Sequence, residues 1–134
     1  MGVALLDSSV VVAFLNGDDA LHGSADRAVR DVAREHGLAV SAVTIAEALT
    51  GVRLAHHDET IVRRFLTEVV GARLPVDEQV AERAAELRGT NRALRMPDAL
   101  ILATGDLHAD VVVTGDARWA KVREVGCAIV AIDG

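Results

Sequence analysis

A chain of 134 residues, 51% of them apolar, is long enough to bury a core, and it is expected to form one domain over 1–134. A net charge of −6 excludes the strongly basic footprint of a non-specific nucleic-acid binder, and the lone cysteine, Cys127, excludes a disulfide framework or a cysteine-based zinc site. No apolar run can cross a bilayer and the opening MGVALLDSSV lacks a basic n-region before Asp7, so a cytoplasmic protein without membrane contact is expected.

In chain order, the apolar run VALL (3–6) ends at Asp7 and is followed by a helical pattern over 8–16 and another over 22–36. LAV (38–40) is the next such run, then helical patterns over 44–55 and 59–70, then ARL (72–74). Helical patterns at 77–88 and 97–108 precede VVV (111–113), and a last helical stretch, 117–125, precedes AIVAI (128–132). Short apolar runs without polar alternation suit strands buried on both faces of a parallel sheet. Strands separated by helices give a three-layer α/β/α domain with a central, mostly parallel sheet of about five strands. Gly17, Gly37, Gly71, Gly89 and Gly126 stand where helices are expected to stop, the position favoured by C′ glycines.

The residues that follow each strand carry the chemistry. Asp7 follows VALL, Thr44 and Glu47 follow LAV, and Asp116 follows VVV. In an open parallel sheet the crevice outside the carboxyl ends of the strands is where ligands bind. Helix capping competes with that reading. Thr44-x-x-Glu47 matches a capping box, and Asp7 and Asp116 have the position of N-caps, as does Asp77 in PVDEQV. Asp98, in RMPDALILATG, opens a helix with no polar face, after a proline suited to a first turn. It complements the helix dipole there, or it serves a site. Thirteen of the 14 basic residues are arginine, and Arg88, Arg92 and Arg95 crowd the approach to Asp98. They either contact phosphate, which the planar guanidinium suits, or pair with acids such as Glu82 and Glu86.

The ordered set LLDSSVVVAFL, SAVTIAEAL, MPDALILAT and VVVTGDARW resembles the PIN-domain ribonucleases, and among them the VapC-type toxins of type II (VapBC) toxin–antitoxin pairs. The resemblance covers essentially the whole chain. It implies a PIN fold and a catalytic acid set of Asp7, Glu47, Asp98 and Asp116. Asp7 and Asp98 would be the principal ligands of Mg²⁺, with Mn²⁺ as a substitute, and Ser8 and Thr114 would orient the carboxylates or water. It further implies endonucleolytic cleavage of RNA, tRNA or rRNA, to a 5′-phosphate and a 3′-hydroxyl. The implied partners are a VapB-type antitoxin whose C-terminal segment covers the site, and a second copy of the chain in a homodimer. A hard cation suits such donors, since Mg²⁺ takes oxygen ligands and keeps waters and substrate phosphates in its shell. Such a site can activate water and stabilise the leaving oxygen without a histidine base. Arg88, Arg92 and Arg95 are the candidate RNA contacts. The alternative function is a PIN fold that binds RNA or a partner without cutting.

Other classes fit less well. A haloacid-dehalogenase-type phosphatase needs D-x-D where the chain has Asp7-Ser8-Ser9, and a receiver domain needs an acidic pair that is missing. His56 and His57 are expected at the surface, Trp119 in packing and Cys127 as a small buried hydrophobe.

Overall fold

A computed structural model describes residues 2–133. The elements are β1 (Gly2–Leu6), α1 (Ser8–Leu15), α2 (His22–Ala33), β2 (His36–Ser41), α3 (Ala42–Arg53), α4 (Glu59–Arg64), β3 (Ala72–Leu74), α5 (Glu78–Thr90), α6 (Met96–His108), β4 (Val111–Thr114) and β5 (Ala128–Ala131). The five strands form one parallel sheet in the order β3-β2-β1-β4-β5. The chain builds outward from β1 through β2 to β3, then returns to lay β4 on the opposite side of β1. That reversal opens a crevice at the carboxyl ends of β1 and β4.

Strand periodicity divides the core into two layers. Ala4 and Leu6 of β1, Leu38 and Val40 of β2, and Val111 and Val113 of β4 face a core shared with α1 to α4. Leu5, Ala39 and Val112 point the other way, against Val80 and Leu87 of α5 and Ile101 and Leu102 of α6. Both faces are therefore covered, and the three-layer α/β/α fold expected from the sequence is the one found.

The expectation of strands buried on both faces holds for the inner three strands but not at the edges. Ala128, Val130 and Ala131 of β5 are exposed, because an edge strand has only part of one face covered. Helix ends differ too. The 59–70 stretch is α-helical only to Arg64 and continues as a π-turn over Phe65–Val69. The 117–125 stretch shrinks to a 3₁₀ turn over Ala117–Lys121. α2 stops at Ala33, because His36 already belongs to β2.

The C′ glycines are a correction. No described glycine has a positive φ, Gly37 lies inside β2 and Gly89 inside α5. The left-handed positions are filled by Ala55 (φ 60°) and Glu124 (φ 68°). Ala55 closes a Schellman motif after α3: its N–H reaches Val52 O at 3.0 Å, and the His56 N–H reaches Gly51 O at 2.8 Å. The hydrogen bonds determine this turn, so composition alone misplaces it.

The capping box is a second correction. Ser41 is the N-cap of α3 and accepts from the Val43 N–H, which puts Thr44 and Glu47 inside the helix rather than at its mouth. Asp7 and Asp77 do cap, accepting from the Ser8 and Val80 N–H groups. Asp116 caps the 3₁₀ turn through the Arg118 N–H.

α6 is the buried helix that its composition predicts, with Ala99, Ile101, Leu102, Ala103 and Gly105 inside. At Gly105 the helix rests directly on the sheet, where an added Cβ would collide with Val112 Cγ2 and crowd Leu5 Cδ2. Gly105→Ala gains about 1 kcal/mol of helix propensity. The overpacking it creates costs about 1–3 kcal/mol. Urea unfolding is expected to show a net loss of stability; a gain would mean that α6 can lift off the sheet without penalty.

Candidate active site

Four acids reach the carboxyl edge of the sheet from different elements. Asp7 ends β1 and caps α1. Glu47 lies one turn into α3, and Asp98 sits in the first turn of α6. Asp116 follows β4 by one residue beyond Gly115. Their placement follows from the topology: β1 and β4 are neighbours, α6 packs on both, and α3 packs against β2 and α6.

Asp7 is buried and satisfied by hydroxyls. Its Oδ1 accepts from the Ser8 N–H at 2.7 Å. Its Oδ2 accepts from Ser9 Oγ and Thr114 Oγ1, each at 2.8 Å. Those donors favour the anion, yet burial outweighs them and pushes the carboxyl up to about 6, with Asp98 adding repulsion. Thr114 is wholly buried and does two things at once: its hydroxyl donates to Asp7 and accepts from the Asp116 N–H at 3.0 Å. Ser9 repeats the device, donating to Asp7 and accepting from the Gly115 N–H at 2.9 Å. The β1 and β4 ends are thereby tied together through one carboxylate.

Ser8 links Asp7 to Glu47. Its Oγ lies 2.6 Å from Glu47 Oε1 and 2.9 Å from Thr44 Oγ1. A hydroxyl has one proton, so Ser8 donates to the carboxylate and accepts from Thr44. Thr44, whose spacing to Glu47 matches a capping box, is instead a buried member of this chain of hydroxyls.

Asp98 does not cap its helix; the N-cap residue is Arg95, which makes no side-chain capping bond. Burial raises the Asp98 pKa above the usual carboxylate range, Arg95 offsets this in part, and the nearby Asp116 and Glu47 raise it again. Arg95 Nε stands 3.6 Å from Asp98 Oδ2. Asp116 is held more firmly: Arg118 Nη2 is 2.7 Å from Oδ2 and Arg118 Nε is 3.0 Å from Oδ1. That pair keeps the Asp116 carboxyl below its ordinary range. The four acids share one electrostatic neighbourhood, but among the described residues no three metal-ligating side chains converge into a formed metal shell.

The donor set nevertheless fits a hard divalent cation. Asp7, Glu47, Asp98 and Asp116 offer only oxygen, Ser8, Ser9 and Thr114 orient them, and Asp7 and Asp98 both resist ionising together. A cavity of about 400 Å³ adjoins the site and takes in Asp98, Asp116, Arg92, Arg95 and Arg118. Asp7 lies outside its lining, and Glu47 does also.

Of the candidate RNA contacts, Arg92 and Arg95 line this cavity, whereas Arg88 does not: its Nε donates to Leu94 O at 2.8 Å and braces the loop between α5 and α6. Glu86 pairs with Arg83 rather than with Arg88. Trp119 is 2% exposed, which fits packing and leaves no face for a base. Cys127 is only half-buried. Ser9 and Arg118 escaped the reading of the sequence. The repeated serine after Asp7 signals the first, and the i, i+2 spacing from Asp116 signals the second.

The sequence matches the PIN domain over residues 4–125. The chain belongs to the PIN-domain family. Hydrolytic nuclease chemistry is what that membership brings in general. Comparison with curated protein sequences gave no significant match. Among solved structures this PIN domain is similar to a chain of the VapBC2 complex of Rickettsia felis bound to a promoter DNA fragment, at TM-score 0.77 and 16% identity over 98% of this chain and 99% of that one. It is similar also to a chain of a toxin–antitoxin complex from Klebsiella pneumoniae, at TM-score 0.72 and 25% identity over 96% of each. A third similar structure is VapC20 of Mycobacterium tuberculosis, described as a toxin that cleaves the sarcin–ricin loop, at TM-score 0.68 and 21% identity over 93% of this chain and 98% of that one. Among the described residues no helix is long and apolar enough to cross a membrane.

Proposed function

We propose that this PIN domain, acting as a single unit over 1–134, is the toxin of a type II toxin–antitoxin pair and a divalent-cation-dependent endoribonuclease. The observation that carries this reading is the hydroxyl network at the carboxyl edge of β1 and β4, where Thr114 ties the Asp7 carboxylate to the Asp116 backbone and Ser8 reaches Glu47, beside a cavity lined by Asp98 and Asp116. The likeness to VapBC chains supports a VapB-type antitoxin as partner, and a homodimer and a cytoplasmic location belong to the same proposal.

Asp7 and Asp98 would hold Mg²⁺ or Mn²⁺ as principal ligands, with Asp116 and Glu47 completing the acidic site directly or through water. When bound, the cation supplies charge neutralisation, an activated water and stabilisation of the leaving oxygen. This chain's own residues supply the rest. Ser9 and Thr114 hold the Asp7 carboxylate in place, and Ser8 fixes Glu47. Arg92 and Arg95 offer charge to an RNA backbone entering the cavity. The proposed substrate is a loop or single-stranded RNA, of tRNA or rRNA type, whose splayed bases would meet arginine planes in the cavity, since Trp119 is buried.

The test is calorimetric titration with Mn²⁺ of the wild type and of Asp98→Asn at matched fold stability, repeated with RNA present. Binding that disappears in the variant, together with RNA cleavage by the wild type in Mg²⁺, is the expected outcome. Equal binding by both returns Asp98 to a purely dipolar role. The second reading, a PIN fold that binds RNA or a partner without cutting, is favoured by the two arginines already paired with Asp98 and Asp116; Mn²⁺ binding by neither protein, together with RNA binding but no cleavage by the wild type, would support it.

A further inference from the structure

The pairing of Arg118 with Asp116 has no structural necessity. Asp116 caps the 3₁₀ turn by accepting from the backbone N–H of Arg118 on Oδ1 at 2.9 Å, a bond in which the Arg118 side chain takes no part. The guanidinium nonetheless lies along the carboxylate, with Nε on Oδ1 and Nη2 on Oδ2, so one fork engages both oxygens. The Arg118 side chain is 87% exposed and has no other hydrogen-bond partner among the described residues, whereas Asp116 is 24% exposed. A side chain so exposed swings away at little cost, while the acid stays fixed by its backbone bonds to Thr114 and Arg118. Both residues line the cavity beside Arg92 and Asp98.

We infer that Arg118 is a positioning residue that exchanges partners: it is the resident counter-ion of Asp116, and when a divalent cation is held by the acids it moves onto a phosphate of the incoming RNA. This rests on the nuclease reading proposed above. The physical grounds are electrostatic. Lone pairs remain on the Asp116 carboxylate beside the guanidinium, but the Arg118 charge lying against it repels a cation from those oxygens, and the planar fork that fits a carboxylate fits a phosphate equally well. Arg95, 3.6 Å from Asp98, makes a looser pair of the same kind. The exchange couples two binding events. Cation at the acids frees Arg118 for phosphate, and phosphate draws Arg118 from Asp116. By reciprocity each ligand raises the affinity of the other.

The test uses the full chain, Mn²⁺ and an uncleavable single-stranded 2′-O-methyl oligoribonucleotide, with melting temperature as a control on folding. Without oligonucleotide, Arg118→Ala is expected to bind Mn²⁺ about two- to fivefold more tightly than the wild type, the range open to an exposed ion pair. Its affinity for the oligonucleotide is expected to fall, with the salt slope shallower by about one. The enhancement of Mn²⁺ binding by oligonucleotide should shrink in the same variant. Arg118→Lys, which keeps the charge and loses the fork, should fall between. Arg92→Ala should weaken oligonucleotide binding and raise Mn²⁺ affinity less than Arg118→Ala does, because Arg92 lines the same cavity but pairs with neither Asp98 nor Asp116. Unchanged or weaker Mn²⁺ binding by a well-folded Arg118→Ala would overturn the exchange alone. A wild type that binds no Mn²⁺, with or without oligonucleotide, would overturn the nuclease reading and the exchange together.

Discussion

Asp7→Asn is expected to abolish RNA cleavage while flattening the dependence of stability on pH. The Asp7 carboxyl titrates at about 6 in the fold. In the unfolded chain it titrates near the ordinary value of about 3.9. A raised folded pKa contributes stability that is fully present below about pH 4 and is lost as pH rises through 6. The difference of roughly two units corresponds to about 2–3 kcal/mol, removed from the wild type between pH 4 and pH 7. Asp98 shifts in the same direction and adds to the slope, whereas Asp116 is shifted downward and acts only at lower pH. Urea unfolding across this range should therefore show wild-type stability declining toward pH 7 more steeply than that of Asp7→Asn. At pH 7.5, added Mg²⁺ should raise the melting temperature of the wild type and leave that of the variant in place. Parallel pH profiles for the two proteins would mean that Asp7 ionises freely, and that the hydroxyls around it outweigh its burial.

Thr114→Val carries the second large effect, although the residue is remote from solvent and uncharged. The substitution keeps the shape and removes one donor to Asp7 Oδ2 and the acceptor of the Asp116 N–H. A buried carboxylate and a half-buried N–H lose a partner together. The expected cost is about 2–3 kcal/mol at pH 7.5, and less at pH 5 where Asp7 holds its proton. The same change should lower Mn²⁺ affinity by about 10–100-fold, the range seen when a residue orienting a ligand is lost. Thr114→Ser restores the hydroxyl and should recover most of both. Recovery of stability without recovery of Mn²⁺ binding would show that the hydroxyl serves the strand junction and not the acids.

The fold and the site were unequally legible in the sequence. Uninterrupted apolar runs such as VALL and VVV indicate inner strands, because only a residue covered on both faces dispenses with polar alternation. Asp7 and Asp77 read as caps for an equally local reason, since a short acceptor beside the first turn meets N–H groups that have no other partner. AIVAI looked identical in kind to VVV and proved to be an edge strand, because exposure depends on which strands are neighbours. Thr44 and Glu47 matched a capping box that Ser41 pre-empts by starting the helix earlier.

The order of residue types along this chain determined its alternation of strands and helices, the buried character of α6 and the acids that end up at one edge. These depend on neighbours a few positions away, and hydrophobic period and capping chemistry report them directly. Only the tertiary structure decided that Asp7 would be held by Ser9 and Thr114, that Ser8 would bridge to Glu47, and that Arg118 would close over Asp116. Contacts such as Asp7 to Thr114 join residues 107 positions apart. They exist because β4 returns to pair with β1, and the desolvation that raises Asp7 exists only once both faces of that sheet are covered.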